Sequence, residues 1–341
     1  YGLIMTTYKT IRGTHIVSVT SDPPSPVNGQ MWYNSTTQTL KGFTSNPAGT
    51  WATITALNTA RGAGQLGGTA TSAWFVGGET NPPPGTPSNW SVKNELWNGT
   101  SWTESNDLTR PGFYSGMGSR GVPNNTTGLV FGGHQGSDPA TQYAVTEEWN
   151  GSSWTEVADL NTGRRGGGGA GTSAEACLCF GGGYGNPFSD RGETESWNGS
   201  SWTEVNDLNN ARYGRASFGS YTSALYAGDS DNKVFVETWN GTSWTETTDH
   251  STTGKDGGSG VVNTSGLIFG GHPTGNTEVW NGSTWTETGN FNVARPSASG
   301  AGASAASAII AGGYNPSPGA YVTNAEEFIS PTTSTVTFTV S

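Results

Sequence analysis

Short runs of alternating apolar and polar residues fill most of the chain, and glycine-rich turns separate them. The sharpest case is Glu95-Leu96-Trp97 followed by Asn98-Gly99-Thr100-Ser101 and then Trp102-Thr103-Glu104. Asn-Gly between two such runs is a strong hairpin signal, because a type I′ turn needs positive φ at both central residues. With Asn98-Gly99 as that turn, Trp97 is expected opposite Thr100, and Trp102 diagonally across the pair on the same face.

The pattern recurs. Trp97 to Glu104 returns as Trp149 to Glu156, Trp197 to Glu204, Trp239 to Glu246 and Trp280 to Glu287. A degenerate copy ends at Gly49-Thr50-Trp51, and a half copy begins at Glu326-Glu327-Phe328. The second Trp of each copy falls at 51, 102, 154, 202, 244 and 285. Intervals of 41 to 52 residues mark a propeller or solenoid.

The rest of the unit repeats as well. A basic residue follows each Trp strand, at Arg61, Arg110, Arg164, Arg212, Lys255 and Arg295. A small-residue stretch leads from it into a short apolar run closed by two glycines, as in Phe75-Val76-Gly77-Gly78 and Cys179-Phe180-Gly181-Gly182. The fourth unit departs by one glycine, reading Tyr226-Ala227-Gly228. Each of six units thus predicts a small-residue strand, an apolar strand, a Glu-x-Trp strand and a Trp strand. The chain ends supply two halves of one unit, so Ala325 to Phe328 is expected to pair with Thr50 to Thr55.

Composition explains how such a chain builds a core. Only 32% of residues are hydrophobic and 12% charged, but 11 of the 14 Trp stand in the repeat: Trp51, Trp97, Trp102, Trp149, Trp154, Trp197, Trp202, Trp239, Trp244, Trp280 and Trp285. Few but large side chains carry the burial. The net charge of −11 has the wrong sign for holding a phosphate backbone, so no nucleic-acid partner is expected. No apolar run reaches the roughly 18 to 20 residues of a membrane helix. A soluble chain without membrane insertion is expected, and no signal peptide is read at its start. Cys177 and Cys179 share one face of a strand and are read as buried thiols.

Candidate chemistry is sparse. Glu95, Glu147, Glu195, Glu237, Glu278 and Glu326 stand two residues before the first aromatic of each unit and match the six cations in number. A residue repeated six times reads as structural, through ion pairs or accepted backbone N–H bonds. His134 and His272 follow two glycine pairs, and Asp229, Asp231 and Asn232 form a small oxygen-rich group. Both groups are read as loop residues, and no metal or cofactor is expected. No nucleophile elbow, zinc-helix motif or phosphate loop is present, so the chain is read as a non-enzyme. The Asn-Gly-Ser/Thr triplets match glycosylation acceptors but are read as turns.

Length variation points to a surface. From each glycine pair to the next aromatic the spacing runs from 9 to 19, whereas the two Trp of a hairpin stay five apart. Repeat proteins place binding surfaces on such variable loops. Here they carry Trp90, Tyr143, Tyr184, Phe188, Tyr314 and Tyr321, the candidate binding residues, together with Pro82-Pro83-Pro84.

The unit of glycine pair, spaced aromatics and basic residue resembles the kelch repeat over about residues 43–330. The resemblance implies a β-propeller of four-stranded blades, here six, closed by strands from both ends of the chain. The wording Trp-Asn-Gly-Ser-Ser-Trp-Thr-Glu, with Leu-Asn-Thr-Ala-Arg, is also similar to repeats in structural proteins of marine and cyanobacterial tailed bacteriophages. The segment Pro23 to Thr36, with Leu40-Lys41-Gly42-Phe43 and Gly49-Thr50-Trp51, resembles a small β-meander of phage tail-fibre and virion proteins.

The expected fold is therefore all-β: an N-terminal extension and meander over 1–42, a six-bladed kelch-like propeller over 43–330, and a C-terminal tail over 331–341 whose strand, Thr335 to Val340, is placed to add to a neighbour. The phage resemblance implies a virion component of tail, fibre or surface. It would bind other virion proteins and a host glycan or receptor, with homo-oligomers open. The alternatives are a secreted or cell-surface carbohydrate-binding propeller and, behind it, a glycan-active propeller enzyme.

Overall fold

A computed structural model describes residues 16–27, 29–46, 49–81, 89–111, 117–118, 125–133, 144–185, 189–214, 216–228, 233–254, 257–270, 275–317, 319–330 and 332–338. Among them every regular element is a strand. The chain divides into two compact units, residues 50–330 and residues 1–49 with 331–341.

The larger unit is all-β and propeller-like, built of antiparallel four-stranded sheets whose strands follow one another as the repeat predicts. Sheet 1 comprises Gln65–Thr69, Ser72–Val76, Asn94–Trp97 and Trp102–Ser105. Sheet 2 comprises Met117–Gly118, Gly128–Phe131, Thr146–Trp149 and Trp154–Val157. Sheet 3 comprises Gly168–Ser173, Ala176–Phe180, Thr194–Trp197 and Trp202–Val205. Sheet 4 comprises Ala216–Ser220, Ser223–Ala227, Val236–Trp239 and Trp244–Glu246. Sheet 5 comprises Gly257–Val262, Ser265–Phe269, Thr277–Trp280 and Trp285–Thr288. Sheet 6 takes Ser299–Ser304, Ser307–Ala311 and Ala325–Ile329 from the late part of the chain and Thr50–Thr53 from the early part. Phe328 faces Trp51 across that junction, as the half copies predict.

The first strands stand side by side in sheet order, and that of sheet 6 lies against that of sheet 1. Small residues allow the approach. Ser217 bonds the backbone of Gly169 in the preceding sheet, and the Ser299 hydroxyl donates to the Gly64 carbonyl at 2.6 Å. Second strands such as Leu129-Val130-Phe131 and Leu267-Ile268-Phe269 are buried on both faces, and the aromatic core lies between sheets.

The Trp hairpin differs from the expected two-residue turn. Trp97 pairs directly with Trp102, leaving a four-residue loop, and the two rings lie 5.2 Å apart. Asn98 causes this: its side-chain oxygen accepts the N–H groups of Thr100 and Ser101, both at 2.9 Å. An Asn side chain that satisfies two loop donors competes with the I′ geometry that Asn-Gly alone suggests. The four other copies repeat the arrangement. The first Trp of each copy then donates its indole N–H to the turn between the first and second strands of its own sheet, as Trp97 does to Ala70.

The smaller unit departs from a simple meander and from the expected boundaries. Val17–Val19 runs parallel to Met31–Asn34, which forms a hairpin with Thr39–Asn46. The latter strand runs through the expected boundary at 42/43. It continues because Thr332–Phe338 pairs with it antiparallel, from Leu40 opposite Phe338 to Asn46 opposite Thr332. One edge of the C-terminal strand is thus spent within its own chain rather than on a neighbour. Asp22 ties the unit together by accepting from Trp32, Asn34 and Lys41.

Candidate functional site

Each glycine pair opens the connection from the second to the third main strand of its sheet. Both glycines of a pair take positive φ, +69° and +91° at Gly77 and Gly78, a conformation side chains rarely adopt. This backbone reversal joins neighbouring sheets. The N–H of Gly182 donates to the carbonyl of Arg212 in the linker to sheet 4, and those of Gly133 and Gly313 do the same to Arg164 and Arg61.

The repeated acids lie inside this framework. Glu95, Glu147, Glu195, Glu237, Glu278 and Glu326 are all buried. Glu95 accepts the backbone N–H of Asn58 at 2.7 Å and pairs with the buried Arg61 guanidinium at 2.9 Å. Arg164 with Glu195, Arg212 with Glu237 and Arg295 with Glu326 repeat the pair. Burial pulls the Arg61 guanidinium down to about 10, which leaves it charged at neutral pH. Each such arginine spans two sheets, through its carbonyl or linker on one side and its guanidinium on the other.

Sheets 2 and 5 break the pattern. Arg110 points outward to Glu156 at 2.9 Å and does not reach Glu147. Counted from the linker leucine, Arg61 is the fourth residue after Leu57, whereas Arg110 is the second after Leu108. It therefore does not occupy the matched position. Glu147 accepts the N–H groups of Thr109 and Arg110 instead, and burial raises its proton affinity. In sheet 5, Glu278 accepts from Ser251 and Thr252. His250 replaces the linker leucine there, buried with its Nδ1 3.9 Å from Glu278. Lys255 lies outside the described residues, as do His134, His272, Asp229, Asp231 and Asn232.

Four of the six loop aromatics can be placed. Trp90 is half-buried on a three-stranded ribbon of Arg61–Gly62, Glu79–Thr80 and Asn89–Trp90, opposite Glu79. Tyr314 and Tyr321 lie on the paired strands Tyr314–Asn315 and Ala320–Tyr321, ring edge to ring face at 5.4 Å. The structure brings these two loops together. The Tyr321 hydroxyl donates to the carboxylate of Glu79, and Asn81 exchanges two bonds with the Tyr321 backbone at 2.9 and 2.7 Å. Tyr184 stands apart, on Gly183–Tyr184 paired with Ser189–Asp190, 39% exposed and with Arg191 5.1 Å from its ring centre. Tyr143, Phe188 and Pro82-Pro83-Pro84 lie outside the described residues.

Glu79, Asn81 and Arg191 are the polar members that sequence reading missed. Their one local signal is that Glu79 directly follows a glycine pair and Arg191 precedes a Glu-x-Glu segment. A separate shallow depression of about 330 Å³ beside the fourth strand of sheet 4 is lined by Asn209, Asn210, Trp244, Thr245 and Glu246. Among the described residues no group of three His, Cys, Asp or Glu could hold a metal ion. No helix among them is long and apolar enough to cross a membrane.

No protein-family model and no curated protein matches the chain. Among solved structures, YjhT matches with a TM-score of 0.63, over 82% of this chain and 99% of that one. In fold the chain is similar to YjhT. The identity is 12%, so the likeness concerns fold alone.

Proposed function

We propose that residues 50–330 form a six-bladed propeller of the kelch type, closed by strands from both ends of the chain, and that the protein is a structural component of a tailed-bacteriophage particle. It works by binding, through the loop face that follows the glycine pairs. One observation carries the binding reading: the repeated acids are buried in the framework, whereas Trp90, Tyr184, Tyr314 and Tyr321 are half-buried or exposed on the variable loops, Tyr184 with Arg191 beside its ring. Stiff aromatics beside a few placed polar groups suit contact with a partner surface. The particle assignment is supported by the likeness of the repeat wording and the N-terminal segment to virion proteins. Quantitative mass spectrometry of purified particles tests it. A fixed copy number per particle is expected, and loss of the chain on purification would refute the assignment.

The second reading is a secreted or cell-surface glycan-binding propeller. It is favoured by Tyr184, 39% exposed with Arg191 5.1 Å from its ring centre, a ring and a donor suited to a sugar face and its hydroxyls. A chain that binds a defined glycan but belongs to no particle would select it.

A further inference from the structure

The smaller unit carries an open sheet edge. Its four strands run in the order Val17–Val19, Met31–Asn34, Thr39–Asn46, Thr332–Phe338, so the C-terminal strand lies at one side. Its inner edge is spent on Thr39–Asn46, and among the described residues no strand lies against its outer edge. An edge of this kind presents a row of unpaired N–H and C=O groups that templates another strand.

Proteins normally protect such edges with lysine, internal proline, bulges or short length. Thr332–Phe338 has none of these devices: it is seven residues long, reads TTSTVTF, and pairs with its neighbour in continuous register. No charged residue occurs anywhere from 331 to 341, in a chain whose net charge is −11. Thr335, Thr337 and Phe338 are exposed. The opposite edge of the sheet, Val17–Val19, is three residues long and offers far less pairing.

We infer that this strand pairs antiparallel with the same strand of a second copy, joining the two small sheets into one across a two-fold axis. Two arguments select a second copy over a foreign strand. Antiparallel pairing of identical edges satisfies both at once and closes the assembly, whereas a foreign strand leaves its own far edge open. Mutual repulsion between two acidic chains is also least where neither brings charge to the contact. The inference does not depend on the particle assignment.

Sedimentation velocity of the full chain at micromolar concentration tests it, alongside a Thr335→Lys/Thr337→Lys variant. The wild type should be a dimer that strengthens with added salt, and the variant, with an unchanged circular dichroism spectrum, should dissociate at least about tenfold more readily. A wild type that stays monomeric, forms a trimer, or yields a dimer indifferent to the two lysines overturns the inference. Should the variant misfold, hydrogen exchange on the wild type decides. Protection of alternate amides within 332–338 should rise with protein concentration, and protection independent of concentration overturns the pairing.

Discussion

The indole N–H of Trp51 donates to the hydroxyl of Thr277, 226 positions away in sequence and in the neighbouring sheet, at 2.9 Å. Trp202 does the same to Thr146, and Trp244 to Thr194. Each acceptor is the first residue of the third strand in the preceding sheet. Where that position holds Ala325 or Val236, with no hydroxyl, Trp102 and Trp285 turn to the linker carbonyls of Thr55 and Thr248. At five of the six junctions, a hydroxyl at this position thus decides whether the Trp bonds the preceding sheet or the linker.

Thr194→Val removes the hydroxyl acceptor and forces the Trp244 indole to turn to a linker carbonyl, as Trp102 and Trp285 do, which should cost about 0.5–1.5 kcal/mol in urea unfolding. Val236→Thr offers Trp285 the missing hydroxyl in exchange for the Thr248 carbonyl and should leave stability unchanged within about 0.5 kcal/mol. Equal effects at the two sites would contradict the rule.

The buried ion pairs and the surface pair should separate cleanly. Arg164→Met strands the buried carboxylate of Glu195 and should destabilise by about 3–5 kcal/mol. Arg110→Met loses an exposed contact with Glu156 and should cost less than about 1 kcal/mol. Thermal unfolding of the two variants decides, and a comparable loss in both would restore Arg110 to the framework.

Most of this framework was legible because the repeat names its own parts: the Trp hairpins, the glycine pairs, the buried acids, and the pairing of Phe328 with Trp51 across the chain ends. Three features were not. Taking any cation roughly ten residues after a Trp as matched conceals that Arg110 stands eight residues after Trp102, whereas Arg61 stands ten after Trp51. Asn98-Gly99 reads as a two-residue turn until the Asn side chain's own hydrogen bonds are considered. The contact of Tyr321 with Glu79 joins loops 242 positions apart, and no local pattern encodes it.

Acid dependence isolates Glu147. Its ordinary value is 4.5, and burial raises it in the folded chain. Between the two values the folded state binds more protons than the unfolded one, so this group's contribution to stability falls as pH rises through that window. Glu147→Gln removes the titration. Urea midpoints measured from below 4.5 upward should show the wild type losing ground to the variant. A gap that is constant with pH, or that changes in the opposite sense, would contradict the assignment.

Cys179 is fully buried, and burial pushes its thiol up to about 12. Since the thiolate is the reactive form, an aromatic disulfide reagent should label it only as fast as the chain unfolds, with the rate rising in denaturant. Rapid labelling of the native chain would show the strand Ala176–Phe180 to be open.

Binding of the labelled full chain to intact candidate host cells, before and after stripping of surface polysaccharide, tests the proposed function most directly. The expected result is saturable binding that stripping abolishes and that Tyr184→Ala weakens several-fold without altering the fold. A folded chain that binds neither stripped nor unstripped cells would contradict a receptor-binding loop face.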